Sequence, residues 1–183
     1  MHLARAIGGV ILVAAGLVGQ TGAGCAREQA NAGVPEKKTL LRCELAAQGR
    51  FVLGEPIVVR FALHNASSRT LYALKWYTPR EGVLGDIFRV TRDGQELVYL
   101  GRLVKRGSPT ASDYVKLDPG GSTSANVDIG PPYQIATAGA YAVAFRSVIH
   151  DVVEDAKAVP RPADAHRSVN VSCPAIKFVV VKQ

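Results

Sequence analysis

Apolar and polar residues alternate along most of the chain after residue 40. Leu41, Cys43 and Leu45 alternate with polar or small neighbours, and the stretch 57–64 repeats the same period of two. This period is typical of a β-strand with one buried face, because successive side chains point to opposite sides of a sheet. Gly54-Glu55-Pro56 separates the two segments as a predicted turn. The pattern indicates β-structure.

Further alternating segments follow, each bounded by Gly or Pro. Tyr72, Leu74 and Trp76 share one face of a third predicted strand, and Asp93-Gly94 predicts a tight hairpin after a fourth that holds Phe88 and Val90. Later predicted strands are Glu96–Leu100, Tyr114–Leu117, Ala125–Ile129, Tyr141–Phe145, Ser168–Cys173 and Ile176–Val181. About seven to nine short strands with almost no helical periodicity predict an all-β fold, an immunoglobulin-like antiparallel β-sandwich.

The late residue Tyr141 allows two interpretations. In a tyrosine corner, its hydroxyl would turn back onto upstream backbone, as in many sandwiches. Otherwise it is an ordinary buried tyrosine. Both interpretations place the ring in the core.

The segment His150–Arg167 interrupts the alternation with four acidic residues and two prolines. It predicts a long exposed loop or a partly helical insertion. One group of side chains here could be drawn as a metal site, namely His150, Asp151, Glu154, Asp155, Asp164 and His166. No rigid helix holds them, so we predict solvated loop charges and no bound metal.

The N-terminus has the layout of a secretory signal. A basic start is followed by an apolar run of about thirteen residues, 6–18, and by small residues up to Gly24. That run is shorter than the roughly 20 residues of a membrane-spanning helix. We therefore predict a signal peptide over 1–25, with Cys25 as a candidate lipidation site and cleavage near Ala23 or Ala26 as the alternative. A flexible leader over 26–38 and one domain over 39–183 follow.

The remaining cysteines and the charge fit export. Cys43 and Cys173 lie near the two ends of the domain, where a disulfide would form in an oxidising compartment; two buried free thiols are the alternative. The net charge of +7 indicates a solvated basic face, an acidic protein partner or an anionic envelope surface. Export argues against nucleic acid as a partner. A monomer is expected, located in the periplasm, tethered to the outer envelope or secreted, with membrane contact only through an N-terminal lipid.

Catalytic motifs are missing from the sequence. A zinc protease of the His-Glu-x-x-His type needs two histidines one helical turn apart, and His64, His150 and His166 do not have that spacing. There is no Gly-x-Ser-x-Gly elbow and no phosphate-binding Gly-rich loop. We expect no enzyme activity and no cofactor.

One stretch resembles a known family. It runs from Lys75-Trp76-Tyr77-Thr78-Pro79-Arg80-Glu81-Gly82 through Asp86-Ile87-Phe88 to Tyr99-Leu100-Gly101, and a basic stretch ends it at Gly107. It is similar to the N-terminal domain that precedes the catalytic domain in deuterolysin-type, peptidyl-Lys zinc metalloendopeptidases. The strands from about residue 40 to 146 match in order. The catalytic domain of that family has no counterpart in this sequence, so no catalytic or zinc-binding residue carries over.

The resemblance implies a propeptide-like binding module that acts on a protease catalytic domain as inhibitor or folding helper. The alternative is an envelope or adhesion-type domain that binds another protein or a glycan. Exposed loops of a sandwich commonly carry such contacts. The candidate partner-binding residues are Trp76, Tyr77, Thr78, Pro79, Arg80, Glu81, Arg102, Lys105 and Arg106. For Trp76 a place in the core is favoured, because it alternates with Tyr72 and Leu74.

Overall fold

A computed structural model describes residues 40–183; the predicted signal peptide, Cys25 and the leader lie outside the described residues. Eleven strands form in this part of the chain. They are β1 (Leu41–Ala46), β2 (Arg50–Val52), β3 (Val58–Asn65), β4 (Leu71–Leu74), β5 (Phe88–Arg92), β6 (Gln95–Glu96), β7 (Tyr114–Leu117), β8 (Ser122–Asp128), β9 (Gly139–Phe145), β10 (Val152–Val153) and β11 (Ile176–Val181). Three-residue 3-10 helices lie at Ala111–Asp113, Ala156–Ala158 and Ala163–Ala165. None of the helices in residues 40–183 is long and apolar enough to cross a membrane.

Two sheets enclose the main core. The first has the order β1-β3-β8 and the second β2-β11-β9-β5-β6. Their apolar faces meet where Phe61 of β3 packs against Phe145 of β9, with ring centroids 5.2 Å apart. In β1 the predicted alternation is complete, since Leu41, Cys43 and Leu45 are buried and their neighbours exposed. The immunoglobulin-like β-sandwich predicted from the sequence is confirmed, although it has eleven described strands, several of them very short.

One pair departs from the antiparallel pattern. β2 runs parallel to β11, with Phe51 opposite Val180. β2 has three residues, too few for a period of two to be visible, so it could not be predicted from the sequence. Phe51 nevertheless reaches the core and meets Phe178 edge-on at 5.1 Å. β2 thereby covers one edge of the second sheet.

A third sheet, β10-β4-β7, carries cores on both faces. Leu71 and Ala73 of β4 face the main core. On the other side Leu74, Trp76, Tyr114 and Val153 form a second, smaller cluster, against which Val159 packs. The segment 150–167 therefore lies over a buried face. The prediction of an exposed loop or a partly helical insertion is correct for 154–158 and for the two short 3-10 helices, whereas Val152 and Val153 are buried and Val159 packs against the second cluster.

Local chemistry confirms several predicted turns and bonds. Asp93 and Gly94 both have positive φ, 48° and 84°, which is the type I′ geometry that suits a two-residue hairpin. The Tyr141 hydroxyl donates to the carbonyl of Thr137 at 2.6 Å, so it forms a tyrosine corner. A disulfide joins Cys43 and Cys173 across 130 positions of sequence, with their Cα atoms 4.7 Å apart. Such a bond is typical of a protein that folds in an oxidising compartment.

Two predicted strands end early. β6 stops at Glu96, and the predicted continuation to Leu100 is wrong because the chain turns away once Leu97 has donated its amide to Val90. Between residues 168 and 173 a single bridge remains, from Val169 to Ile149. The prolyl residue at 174 separates this segment from β11, as the sequence indicated.

Candidate functional site

The predicted contact residues at the end of β4 are mostly interior. Trp76 is 7% exposed and Thr78 2%, and Pro79 is also buried. Thr78 donates its hydroxyl to the Lys75 carbonyl at 2.6 Å, which closes a tight turn. Tyr77 reaches a φ of 56° in this turn. In this arrangement Trp76, Thr78 and Pro79 are structural, because the chain folds back onto the second core directly after Leu74.

Arg106 connects this turn to the next loop. Its guanidinium lies 5.3 Å from the centroid of the Trp76 ring and 5.7 Å from that of Tyr77, within the range of cation–π attraction. It also forms an ion pair with Glu81, and both side chains are less than one-fifth exposed. The Glu81 carboxylate accepts the Tyr77 amide at 2.8 Å as well. Glu81, Tyr77 and Arg106 therefore clamp the C-terminal end of the loop 97–106 to the sandwich.

Burial has an electrostatic consequence at this clamp. It raises the pKa of the Glu81 carboxyl, and this effect exceeds the opposing influence of the Tyr77 amide and the Arg106 charge. A carboxylate that is paired yet costly to desolvate is typical of a partly buried ion pair. The Glu81–Arg106 ion pair therefore holds the loop in place. Removing either residue would leave the other charge partly buried and unpaired.

Tyr99 fixes the other end of the same loop. Its hydroxyl accepts the Gly85 amide at 3.0 Å and lies within hydrogen-bond distance of the carbonyls of Val83, at 2.9 Å, and Arg102, at 2.7 Å. A Cβ placed on Gly101 would lie 2.6 Å from the Tyr99 ring, so the chain can pass the ring only at glycine. This close contact explains why glycine stands two positions after the tyrosine in the segment Tyr99-Leu100-Gly101.

Three apolar side chains of the loop 97–106 point outward. Val98, Leu100 and Leu103 are 72%, 59% and 80% exposed, and we call these three side chains the apolar crest. Arg102 and Lys105 beside them are exposed and form no salt bridge with any residue of 40–183. Leu100, Gly101, Pro131 and Pro132 are among the residues that line a shallow groove of about 480 Å³.

The crest could not be predicted from the sequence. A strand is predicted over Glu96–Leu100, but residues 97–100 are all apolar, so the pattern does not show which of them are buried. In the structure Leu97 and Tyr99 take the inward positions, and Tyr99 packs edge-on against Tyr133 at 5.4 Å. The one available signal was the basic stretch that follows, which is unusual beside a core strand.

Arg80 lies apart from the clamp. It is exposed, and its guanidinium donates to the carbonyl of Ser124 in β8 at 2.6 Å. β8 is an edge strand of the first sheet, so Arg80 covers one of its unpaired backbone groups. Of the predicted contact residues, Arg80, Arg102 and Lys105 are the ones exposed to solvent.

The acidic segment 150–167 contains a fully buried carboxylate. Asp151 is 0% exposed; its two oxygens accept the Tyr114 hydroxyl at 2.8 Å, the Arg161 guanidinium at 2.9 Å and the Arg167 amide at 2.8 Å. Burial, together with the hydrogen bond to Asp151, raises the pKa of Tyr114 to about 12. For Asp151 the prediction of a solvated charge is wrong, since the carboxylate is the centre of this network. Glu154, Asp155 and Asp164 are exposed, as predicted.

The two histidines of that segment lie on aromatic rings. His150 packs on Tyr77 at 4.6 Å between ring centroids, and His166 meets Trp76 at 6.4 Å. Burial, followed by repulsion from His166, lowers the pKa of His150. Within residues 40–183, no three His, Cys, Asp or Glu side chains come together in a group that could hold a metal ion.

Comparison with known proteins gives one informative likeness. The chain is 29% identical over 120 residues to an extracellular protease of Aeromonas hydrophila; the match covers 63% of this chain and 34% of that protein. The chain thus spans about a third of the length of the relative it matches. No family model matches the chain.

Among solved structures, the CARDB domain of a Pyrococcus furiosus protein, determined with di-metal ions, covers 78% of this chain and 94% of its own length. The identity is 12% and the TM-score 0.33. The disulfide and the likeness to an extracellular protein together fit an exported protein, and the chain is similar to one part of a protease.

Proposed function

We propose that this chain is an exported, non-catalytic binding module that engages the catalytic domain of a deuterolysin-type metalloendopeptidase and inhibits it. The observation that carries the proposal is the match to the extracellular protease, which covers 34% of that protein. The segment from Lys75 to Gly107 points to the non-catalytic N-terminal domain of such proteases as the matching part.

The geometry of that segment supports a binding role. Its characteristic residues hold a loop rather than a catalytic group: Tyr99 and Gly101 shape one end, and Arg106 with Glu81 fixes the other. A loop that is rigid before binding loses little conformational entropy on association, which favours affinity. This is what an inhibitor that acts as a separate molecule requires. A transient folding helper would have less need of it.

Titration of a mature deuterolysin-type protease with the purified chain tests the proposal. We expect saturable one-to-one binding and a progressive loss of peptidase activity, with no loss when a serine protease replaces the metalloprotease. Absence of both binding and inhibition would contradict it. In that case, proteins captured from the periplasm or medium would be expected to include no protease, which would favour the envelope or adhesion-type alternative.

A further inference from the structure

We propose that the apolar crest is the surface that contacts the catalytic domain, and that it enters an apolar groove with an acidic rim. The inference rests on the proposed function, because it names the contact surface of that same partner. Exposure, rigidity, unpaired backbone groups and charge each support it.

The exposure of the crest is concentrated in one place. Five large apolar side chains are exposed in residues 40–183, and three of them, Val98, Leu100 and Leu103, lie within six positions of one loop. The other two, Val58 at 40% and Val179 at 43%, are single residues on separate strands. Clustered exposed aliphatic groups commonly mark an interaction site, whereas scattered ones need no explanation.

The crest is also fixed in position. The Leu100 amide donates to the carbonyl of Pro132 at 2.8 Å, between the Tyr99 anchor and the clamp at Arg106. The exposed side chains are therefore held by buried or half-buried neighbours on both sides. Apolar groups presented on a rigid backbone bind with less loss of entropy than the same groups on a mobile loop.

Backbone groups and charges next to the crest indicate what covers it. The amides of residues 101–108 have no backbone hydrogen-bond partner within residues 40–183, and Arg102 and Lys105 are exposed and form no ion pair within the same range. A protein partner can satisfy such amides with carbonyl groups of its own and can match the two cations with carboxylates. This argues for a groove that is apolar at its floor and acidic at its rim.

A lipid surface fits these features less well. Hydrocarbon offers no acceptors for the free amides, and each unsatisfied amide placed there is costly. Tyr99, the one aromatic residue of the loop, is turned inward and would not lie at a membrane interface. A protein groove is therefore the occupant to which we commit.

Leu100→Asp combined with Leu103→Asp tests the inference. Each substitution is expected to weaken binding to the mature protease by about tenfold or more, because burying a leucine contributes more than the 1.4 kcal/mol that equals a factor of ten. Val58→Asp combined with Val179→Asp is the matched control, since it places the same charge on exposed aliphatic positions away from the crest. Circular dichroism and urea unfolding would verify that both variants are folded.

Charge reversal provides a second, independent test. Arg102→Glu with Lys105→Glu is expected to weaken binding at low salt and to reduce the dependence of affinity on salt, because both cations face the acidic rim. Arg60→Glu with Lys177→Glu, two exposed cations on strands, is the control and is expected to change the affinity little. If the crest pair and the control pair change the affinity equally, the proposal that the partner groove has an acidic rim is contradicted.

The outcomes separate the inference from the function on which it rests. If the wild-type chain does not bind the protease, the proposed function fails and the inference fails with it. If the wild type binds and the variant with Leu100→Asp and Leu103→Asp binds as tightly, the proposed function stands. The proposal that the crest is the contact surface is then refuted. Co-sedimentation with phosphatidylglycerol vesicles that is lost on Leu103→Asp, without any protease binding, would assign the crest to lipid and overturn the protein groove.

Discussion

Removal of the Asp151 carboxylate should release the segment 150–167 from the second core. Asp151→Ala leaves the Arg161 guanidinium without its counter-charge, and Arg161 is 16% exposed. It also leaves the Tyr114 hydroxyl and the Arg167 amide without an acceptor. Three groups that now converge on one carboxylate would therefore be unpaired at the same time.

The expected loss is large for a domain of this size. Breaking a buried ion pair by removing one partner destabilises by about 3–5 kcal/mol. We expect about 3 kcal/mol, the lower end, because Arg161 retains some exposure and can turn towards solvent. Tyr114→Phe keeps the ring and removes only the hydroxyl, so it should lower the free energy of unfolding by about 1.5 kcal/mol.

Trp76 makes the release measurable. It is the one tryptophan of the chain, it is buried in the second core, and it meets the ring of His166. Urea unfolding followed by its fluorescence should show the loss, and limited proteolysis should cut Asp151→Ala within 154–167 under conditions that leave the wild type intact. A change in unfolding free energy below about 1 kcal/mol, the range of an exposed ion pair, with unchanged proteolysis would refute the network.

Three further predictions concern other parts of the domain. Cys43→Ser opens the loop to Cys173 and should lower the free energy of unfolding by about 5 kcal/mol in the chain-entropy model, measured in urea; a loss below about 2 kcal/mol would contradict this. Gly101→Ala should destabilise by about 1–3 kcal/mol through overlap with the tyrosine ring beside it, whereas Gly107→Ala, with open space around it, should have little effect in the same assay. The folded-state pKa of His150 is lowered, so the unfolded chain binds protons more readily and stability should fall as the pH drops below about 6.5. His150→Gln should reduce that dependence between pH 7.5 and 5.5, and identical pH profiles for the two proteins would contradict it.

The sandwich could be predicted because its long strands carry their own signal. β1, β5 and β9 bury alternate side chains, as does the first half of β3, and this period is visible without knowledge of their partners. The hairpin at Asp93-Gly94 and the corner at Tyr141 depend on residues close in sequence, which is why local chemistry identified them.

The features that the sequence did not predict depend on distant partners. Asp151 appeared to be one of several loop acids, and its burial follows from Tyr114, 37 positions away, and from the fold of the chain back to Arg161. The crest was not predicted because residues 97–100 are all apolar, and a continuous apolar run does not show which side chains face the core. In the structure Tyr99 takes an inward position, and Val98 and Leu100 are exposed.

Hydrogen exchange of the chain, free and mixed with the mature metalloprotease, tests the central claim most directly. The amides of 101–108 have no backbone partners within residues 40–183 and should exchange rapidly in the free chain. We predict that the protease slows exchange across 97–106 and leaves β1 and β3 unchanged. Unchanged exchange throughout, or protection confined to a surface away from Val98, Leu100 and Leu103, would contradict the account.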